Sequence, residues 1–305
     1  PTRYTVAGSF QNASNGYNHI MLPFSRIVII GVGLIGGSLG LAVKKRRLAE
    51  NVIGIGHNAE RLQTALRLGA VDQAAEHIDE AMMAGAELVI VATPVSLVAD
   101  FVQQAASVVQ NALITDAGST KEKICSRFQQ TALPNSCRFI GSHPIAGSEK
   151  SGVQYADADL FENRLAVITP TDSSTDRDID SLTQFWRSLG SQTVCLPPAK
   201  HDRILARTSH LPHLLSSLLA DRLQPQDAEY IGTGYESMTR LASGQPGIWR
   251  DIIADNADAI VEAVRDYENA LHHLRETIEQ GDWESIVQFL ENAKRNRRTA
   301  AEPQS

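Results

Sequence analysis

The chain has 305 residues, 43% of them hydrophobic and 21% charged, which is room for two domains with cores of their own. A net charge of −7, from 28 Lys and Arg against 35 Asp and Glu, argues against nucleic-acid binding, which asks for a basic face. Cys125, Cys137 and Cys195 are odd in number and form no close pair, and no run reaches the ~18 apolar residues of a membrane helix, so disulfide frameworks, zinc knuckles and membrane spans are set aside and a cytoplasmic protein with reduced thiols is expected.

Residues 1–23 are rich in Ser, Asn, Gly and Gln, lack the apolar stretch of a signal peptide, and read as a disordered extension without chemistry of its own. Arg26-Ile27-Val28-Ile29-Ile30 is then a continuous β-branched run, the pattern of a strand buried on both faces of a parallel sheet. It leads directly into Gly31-Val32-Gly33-Leu34-Ile35-Gly36 and a helical pattern, so the GxGxxG motif sits in its required strand–turn–helix setting. There Gly31 makes the turn, Gly33 lets the backbone approach a pyrophosphate, and Gly36 packs helix on strand. The N–H groups from Leu34 and Ile35 onward face the anion. The alternative is a glycine-rich turn with no ligand.

Asn51–Ile55 reads as the second strand. A carboxylate at its end would bond the ribose of NAD, but the sequence there is Gly56-His57-Asn58, with Arg61 a turn later. Losing the acid removes the repulsion against a 2′-phosphate, and His57 and Arg61 could contact one, so NAD or NADP is expected. Both residues could equally be solvated side chains at a helix start. Two further strands, Glu87–Ala92 and Ala112–Asp116, end in Thr93-Pro94-Val95 and in Ala117-Gly118-Ser119-Thr120-Lys121. Ligands of open α/β sheets lie beyond such carboxyl ends, which places Thr93 and Pro94 by the cofactor and Ser119 by the chemistry. The competing role for Ser119 and Lys121 is capping the helix that follows.

Phe139-Ile140 is expected to be a short strand running into the irregular loop Gly141–Gly152, whose His143 is held by Pro144 in an extended backbone. A histidine fixed there can exchange a proton near neutral pH, and topology puts it close to Ser119. The bland reading is a surface loop whose histidine makes one hydrogen bond. Strands at Arg164–Ile168 and Gln192–Leu196 flank a helix near Asp176–Leu189, and Pro197-Pro198 closes an α/β domain over 24–198.

From 199 to 296 the patterns are helical, with Ile260, Val264, Tyr267, Leu271 and Leu274 in 3-4 spacing, and 297–305 reads as a disordered tail. The fold class is therefore α/β: a Rossmann-type doubly wound, mostly parallel sheet followed by an all-helical dimerisation domain. His210 and His213 share a helix face, but no HExxH-type carboxylate accompanies them, so lining of a substrate cleft is preferred to a metal site and none is assigned. Gly232–Arg240 reads as a glycine-rich loop whose Arg240 suits a carboxylate, with a surface salt bridge as the alternative.

Taken together these segments resemble the prephenate/arogenate (cyclohexadienyl) dehydrogenase family of tyrosine biosynthesis. The resemblance runs from about Arg26 to Arg295 and is carried by Gly31–Ser38, Thr115–Lys121, His143–Gly152, Ser209–His213 and Thr239-Arg240 with Trp249-Arg250-Asp251. It implies oxidation and decarboxylation of prephenate or arogenate, with hydride passing to NAD or NADP. It also implies roles: His143 as base for the ring hydroxyl, Ser119 orienting it, Arg240 binding a carboxylate, Glu149 paired with that arginine, His213 as a second cleft histidine, and Ser148 where many members carry threonine. A two-fold homodimer through the helical half is implied as well. The chain departs from the pattern at Gly56, at Glu236 where several members carry a lysine or arginine, and in having no regulatory or mutase domain within these residues. A β-hydroxyacid dehydrogenase, with Lys200 as its lysine, and a non-catalytic NAD(P) sensor are the competing readings.

Overall fold

The computed structural model describes residues 23–129, 132–147 and 150–301. Apart from Pro23, the N-terminal extension therefore lies outside the described residues, as do Ser148 and Glu149.

Strand β1 (Phe24–Ile30) continues into α1 (Leu34–Lys45), β2 (Ala49–Ile55), α2 (Ala59–Arg67), β3 (Gln73–Ala75), α3 (Glu80–Met83), β4 (Leu88–Val91), α4 (Val95–Val108), β5 (Leu113–Asp116), α5 (Glu122–Ser126) and β6 (Arg138–Phe139). The six strands form one parallel sheet in the order β3-β2-β1-β4-β5-β6, with the strand order reversing beside β1. Alternation along β1 explains why its last four positions are all apolar: Ile27 and Ile29 enter the core on one face, Val28 and Ile30 the core on the other.

The fold differs from expectation at Phe139-Ile140. The sheet ends at the two-residue β6, and Gly141–Pro144 is not a loop but strand β7 of a second sheet. This sheet is β7-β8-β9, with β8 (Leu165–Thr169) antiparallel to β7 and parallel to β9 (Gln192–Cys195), and it is covered by α6 (Asp176–Ser188). The crossover depends on Gly141, because a Cβ there would lie 2.5 Å from Thr169 Oγ1 and 2.8 Å from Cys125 Sγ. Side chains of β5 replace the lost ladder: Ser142 N donates to Asp116 Oδ1 (3.2 Å), and Ser142 Oγ meets Thr115 Oγ1 (2.9 Å).

The remaining chain is helical among the described residues: α7 (Pro198–Leu205), a single π-turn (Ala206–His210), α8 (Leu211–Asp221), α9 (Thr233–Thr239), α10 (Pro246–Asp255), α11 (Ala257–Glu279) and α12 (Trp283–Ala301). Two expectations are corrected here. The segment read as a glycine-rich loop before Arg240 is α9, and α12 runs on to Ala301 rather than stopping at 296. Among the described residues no helix is long and apolar enough to cross a membrane. Ile252 of α10 enters the core beside α4, so the helical half is seated on the nucleotide half.

Candidate active site

The turn after β1 is shaped by its glycines. Gly31 has φ +97°, and a Cβ on it would meet the Ala92 carbonyl at 2.6 Å and Thr93 Cγ2 at 3.0 Å, so Thr93 packs beside the turn. A Cβ on Gly36 would stand 2.0 Å from the Gly31 carbonyl oxygen, which keeps α1 tight against β1. Gly33 differs: a Cβ there meets nothing within 4 Å, and no side chain caps α1 or places an acid in its first turn. Free N–H groups at a helix start, with an approach no side chain obstructs, fit a pyrophosphate. Pro94 precedes α4 and is exposed. At the end of β2, Asn58 is occupied in capping α2, its Oδ1 accepting from Arg61 N at 2.9 Å, while the His57 and Arg61 side chains are exposed.

His143 stands on β7 and keeps 9% of its surface exposed. Its Nδ1 lies 2.9 Å from Nε2 of His201 on α7, and His201 Nδ1 lies 2.7 Å from Asp202 Oδ1. Asp202 in turn accepts the backbone N–H groups of Lys121 (2.8 Å) and Glu122 (2.9 Å), and so caps α5 from across the junction of the two halves. Burial holds the His143 imidazole well below its usual range, and neighbouring His201, Lys121 and His210 add to that effect. Burial lowers His201 too, against the raising effect of its hydrogen bond to Asp202.

Lys121 holds the N-cap position of α5, but its side chain makes no cap hydrogen bond. It is fully buried, and its ammonium contacts the carboxylate of Asp116, itself fully buried at the end of β5. Gly118 N (2.8 Å) and Ser142 N also donate to that carboxylate. Burial pushes the Asp116 carboxyl up while Lys121 and these donors oppose the rise. Thr120 donates to Asp255 of α10, a further link between the halves. Ser119 lies half-buried on the same β5–α5 connection. Among the described residues, His201 makes a hydrogen bond to the His143 ring.

On the helical side, His210 and His213 are buried at the π-turn and the start of α8. The His213 ring stacks on Trp249 with centroids 3.4 Å apart. Asn256 Nδ2 bridges the Asp202 carbonyl (2.8 Å) and His210 Nδ1 (3.1 Å). Burial pulls His210 down to about 4 and lowers His213 as well. Among the described residues no group of three or more His, Cys, Asp or Glu is placed to hold a metal. Arg240 follows α9 and is exposed, as is Glu236 in the first turn of that helix.

The site thus brings His143 together with the buried Asp116–Lys121 pair, and it adds His201, Asp202 and Asn256, which the sequence reading did not single out. The available signal was an adjacent His-Asp pair opening the first helix after Pro197-Pro198. Its partner His143 is 58 positions away.

Residues 39–195 match the family model for the prephenate dehydrogenase nucleotide-binding domain, and residues 197–292 match that for the prephenate dehydrogenase dimerization domain. The chain is 33% identical over 276 residues to the prephenate dehydrogenase of Bacillus subtilis, covering 88% of this chain and 74% of that protein. It is 27% identical over 288 residues to the cyclohexadienyl dehydrogenase of Zymomonas mobilis, covering 91% and 96%. Among solved structures it is similar to prephenate dehydrogenase from Aquifex aeolicus in complex with hydroxyphenyl propionate and NAD+, with a TM-score of 0.84 at 28% identity over 90% of this chain and 98% of that one. Both halves matched in order, on a Rossmann-type sheet followed by the second sheet whose β7 carries His143 to the junction with the helical half, place this chain in the prephenate dehydrogenase family.

Proposed function

We propose that the chain oxidises prephenate to 4-hydroxyphenylpyruvate with NAD or NADP, as an oxidoreductase of tyrosine biosynthesis in the cytoplasm. The observation that carries the reading is the neutral, nearly buried imidazole of His143, held on β7 with Nδ1 engaged, in a chain of this family. The Gly31–Gly36 turn would hold the pyrophosphate of the dinucleotide, whose nicotinamide would supply the acceptor for the hydride of ring C4. His143 accepts the proton of the C4 hydroxyl as that hydride leaves. The ring carboxylate departs as carbon dioxide, and its bonding electron pair enters the ring and leaves a phenolate oxygen. His143 then returns the proton to that oxygen. Aromatisation drives the reaction, so the site needs alignment, a base and carboxylate recognition more than a metal.

Arg240 is assigned to a substrate carboxylate and His213 to the cleft wall, where Trp249 fixes its ring. Ser119 is assigned to orienting the hydroxyl. Ser148 and Glu149 keep their substrate-binding assignments on the motif alone. Lys200, the lysine a β-hydroxyacid dehydrogenase would use, is exposed on α7, which argues against that reaction. A two-fold homodimer through the helical half completes the reading, supported by exposed apolar residues such as Leu271, Trp283 and Val287.

Arogenate is the second reading, favoured by Glu236: a carboxylate near the substrate side chain repels a keto acid and can pair with an ammonium. Such a contact is worth about 1.5–3 kcal/mol when desolvated, a factor of roughly ten to a hundred. Steady-state formation of reduced cofactor with prephenate and with arogenate, each with NAD and NADP, tests the whole proposal. Turnover of neither substrate overturns it. In Glu236→Lys the prephenate to arogenate ratio of kcat/KM is expected to rise, and an unchanged ratio removes Glu236 from substrate choice.

A further inference from the structure

The hydrogen bonds behind His143, taken with the burial of the site, favour one placement of protons. Asp202 accepts a backbone N–H on each carboxylate oxygen, from Lys121 on Oδ1 and from Glu122 on Oδ2, the pattern of a carboxylate acting as acceptor on both sides. An ionised carboxylate cannot donate. The 2.7 Å contact from His201 therefore carries its proton on His201 Nδ1. A neutral imidazole protonated at Nδ1 has its lone pair at Nε2, so His201 accepts across the 2.9 Å contact and His143 Nδ1 donates. The His143 proton is then accounted for, and its lone pair sits on Nε2.

We propose that His201 and Asp202 are positioning residues that hold His143 in the Nδ1–H tautomer, leaving Nε2 free to take the proton of the substrate hydroxyl. The inference rests on His143 being the base. It reaches further, because a buried histidine in the other tautomer would donate at Nε2 and could not start the reaction. The rival placement makes His201 an imidazolium that donates from both nitrogens. That puts a second cation beside Lys121 in a site where His201 has no exposed surface. The titratable groups facing His143 are Lys121 from the β5–α5 connection, paired with Asp116, His201 from α7, paired with Asp202, and His210 from the π-turn. His210 Nδ1 is matched to the Asn256 amide, which agrees with a neutral ring there.

The arrangement also explains why the chain uses two residues where a carboxylate alone could orient a base. A carboxylate directly on His143 Nδ1 would stabilise the imidazolium and raise its affinity for protons, keeping more of the base occupied near neutral pH. Interposing a neutral imidazole fixes the tautomer while holding the negative charge a ring further away. Asp202 meanwhile has its charge met by two amides at the start of α5.

Three variants and one spectrum test the proposal. In enzyme labelled with 15N-histidine, His143 is expected to report the Nδ1–H tautomer, and an Nε2–H tautomer overturns the assignment without any variant having to fold. His201→Gln presents an amide oxygen where Nε2 lay and is expected to keep kcat within about tenfold of wild type. His201→Leu presents no acceptor and is expected to lower kcat by about 10²-fold with the KM for prephenate within about threefold. Its acid limb of kcat/KM should also move to lower pH, since nothing then accepts from the protonated ring. Wild-type kcat and pH profile in His201→Leu overturn the positioning role. His143→Asn separates the two layers: if it is inactive while His201→Leu is normal, the base stands and the positioning claim falls. If His143→Asn turns over normally, the base assignment itself falls.

Discussion

A base that must take a proton near neutral pH should be unprotonated before the substrate arrives, and burial secures this at His143. Protonation switches the base off, so activity is lost as pH falls through its pKa. Because that pKa lies well below 6.5, the acid limb of kcat/KM should fall below pH 6.5 rather than at it. His143→Asn should keep cofactor affinity and lose about 10²–10⁴-fold in turnover; near-normal turnover would sink the assignment. The same burial has a stability consequence. His143, His201, His210 and His213 all titrate below 6.5 when folded, so between those values and 6.5 the unfolded chain binds protons that the folded chain does not. Stability therefore falls as pH drops below 6.5, by up to about 1.4 kcal/mol per pH unit for each fully buried histidine. Denaturant titrations at pH 7.5 and 5.5 check the sign, and equal midpoints would contradict it. At the cofactor, a Cβ on Gly56 meets only Leu62 Cδ2 at 3.6 Å and Val32 N at 3.9 Å, so an aspartate fits. Gly56→Asp should raise the NAD to NADP ratio of kcat/KM by about tenfold or more, through a ribose acceptor gained and a phosphate repelled. An unchanged ratio would place the ribose elsewhere.

At the scale of elements, the glycines of the first turn have separable roles. Gly36→Ala drives a methyl into the Gly31 carbonyl and should cost about 1–3 kcal/mol of stability along with cofactor affinity. Gly33→Ala meets no protein atom within 4 Å, so it should leave Tm unchanged and weaken only cofactor binding. Equal Tm losses in the two variants would refute the distinction. This turn was legible in the sequence because strand, glycines and helix are contiguous and each states its own local preference. Strands β1, β2, β4 and β5 were legible too, from their apolar runs, whereas β3, Gln73-Ala74-Ala75, has no such run and was not legible. Strand β7 was not: Gly141 and Pro144 are poor strand formers, and only pairing with β8, more than twenty positions later, makes them one. Helix α9 was missed for a similar reason, since Gly232 and Gly234 flank its start and argue locally for a loop. In the site, the His143 segment was legible as a motif. The His201–Asp202 support was not, because its meaning depends on α7 being brought against β7. Lys121 was legible as the residue at the cap of α5, but its burial with Asp116 is decided by the tertiary fold alone.

For the whole molecule, the helical half leaves apolar side chains uncovered in a way the nucleotide half does not. Along α11 and α12, Leu271 is 56% exposed, Trp283 64%, Val287 60% and Leu290 56%. The 3-4 stripe of this helix buries Ile260 but leaves Val264, Tyr267 and Leu271 outward. A second copy is the partner that the family's dimerization domain provides for such a face. Light scattering should give twice the chain mass at micromolar concentration, and a stable monomer would remove the claim. Within one protomer, the two halves are tied by the carboxylate of Asp202 on α7 closing over the amides of Lys121 and Glu122. Those amides take their acceptor from the opposite half, so α5 can keep its own helical bonds and still leave them protected. They should exchange with deuterated solvent at the rate at which α7 lifts from α5. Slowed exchange at these two positions on adding cofactor or substrate would then measure, without a label on the enzyme, how strongly each ligand holds the cleft shut.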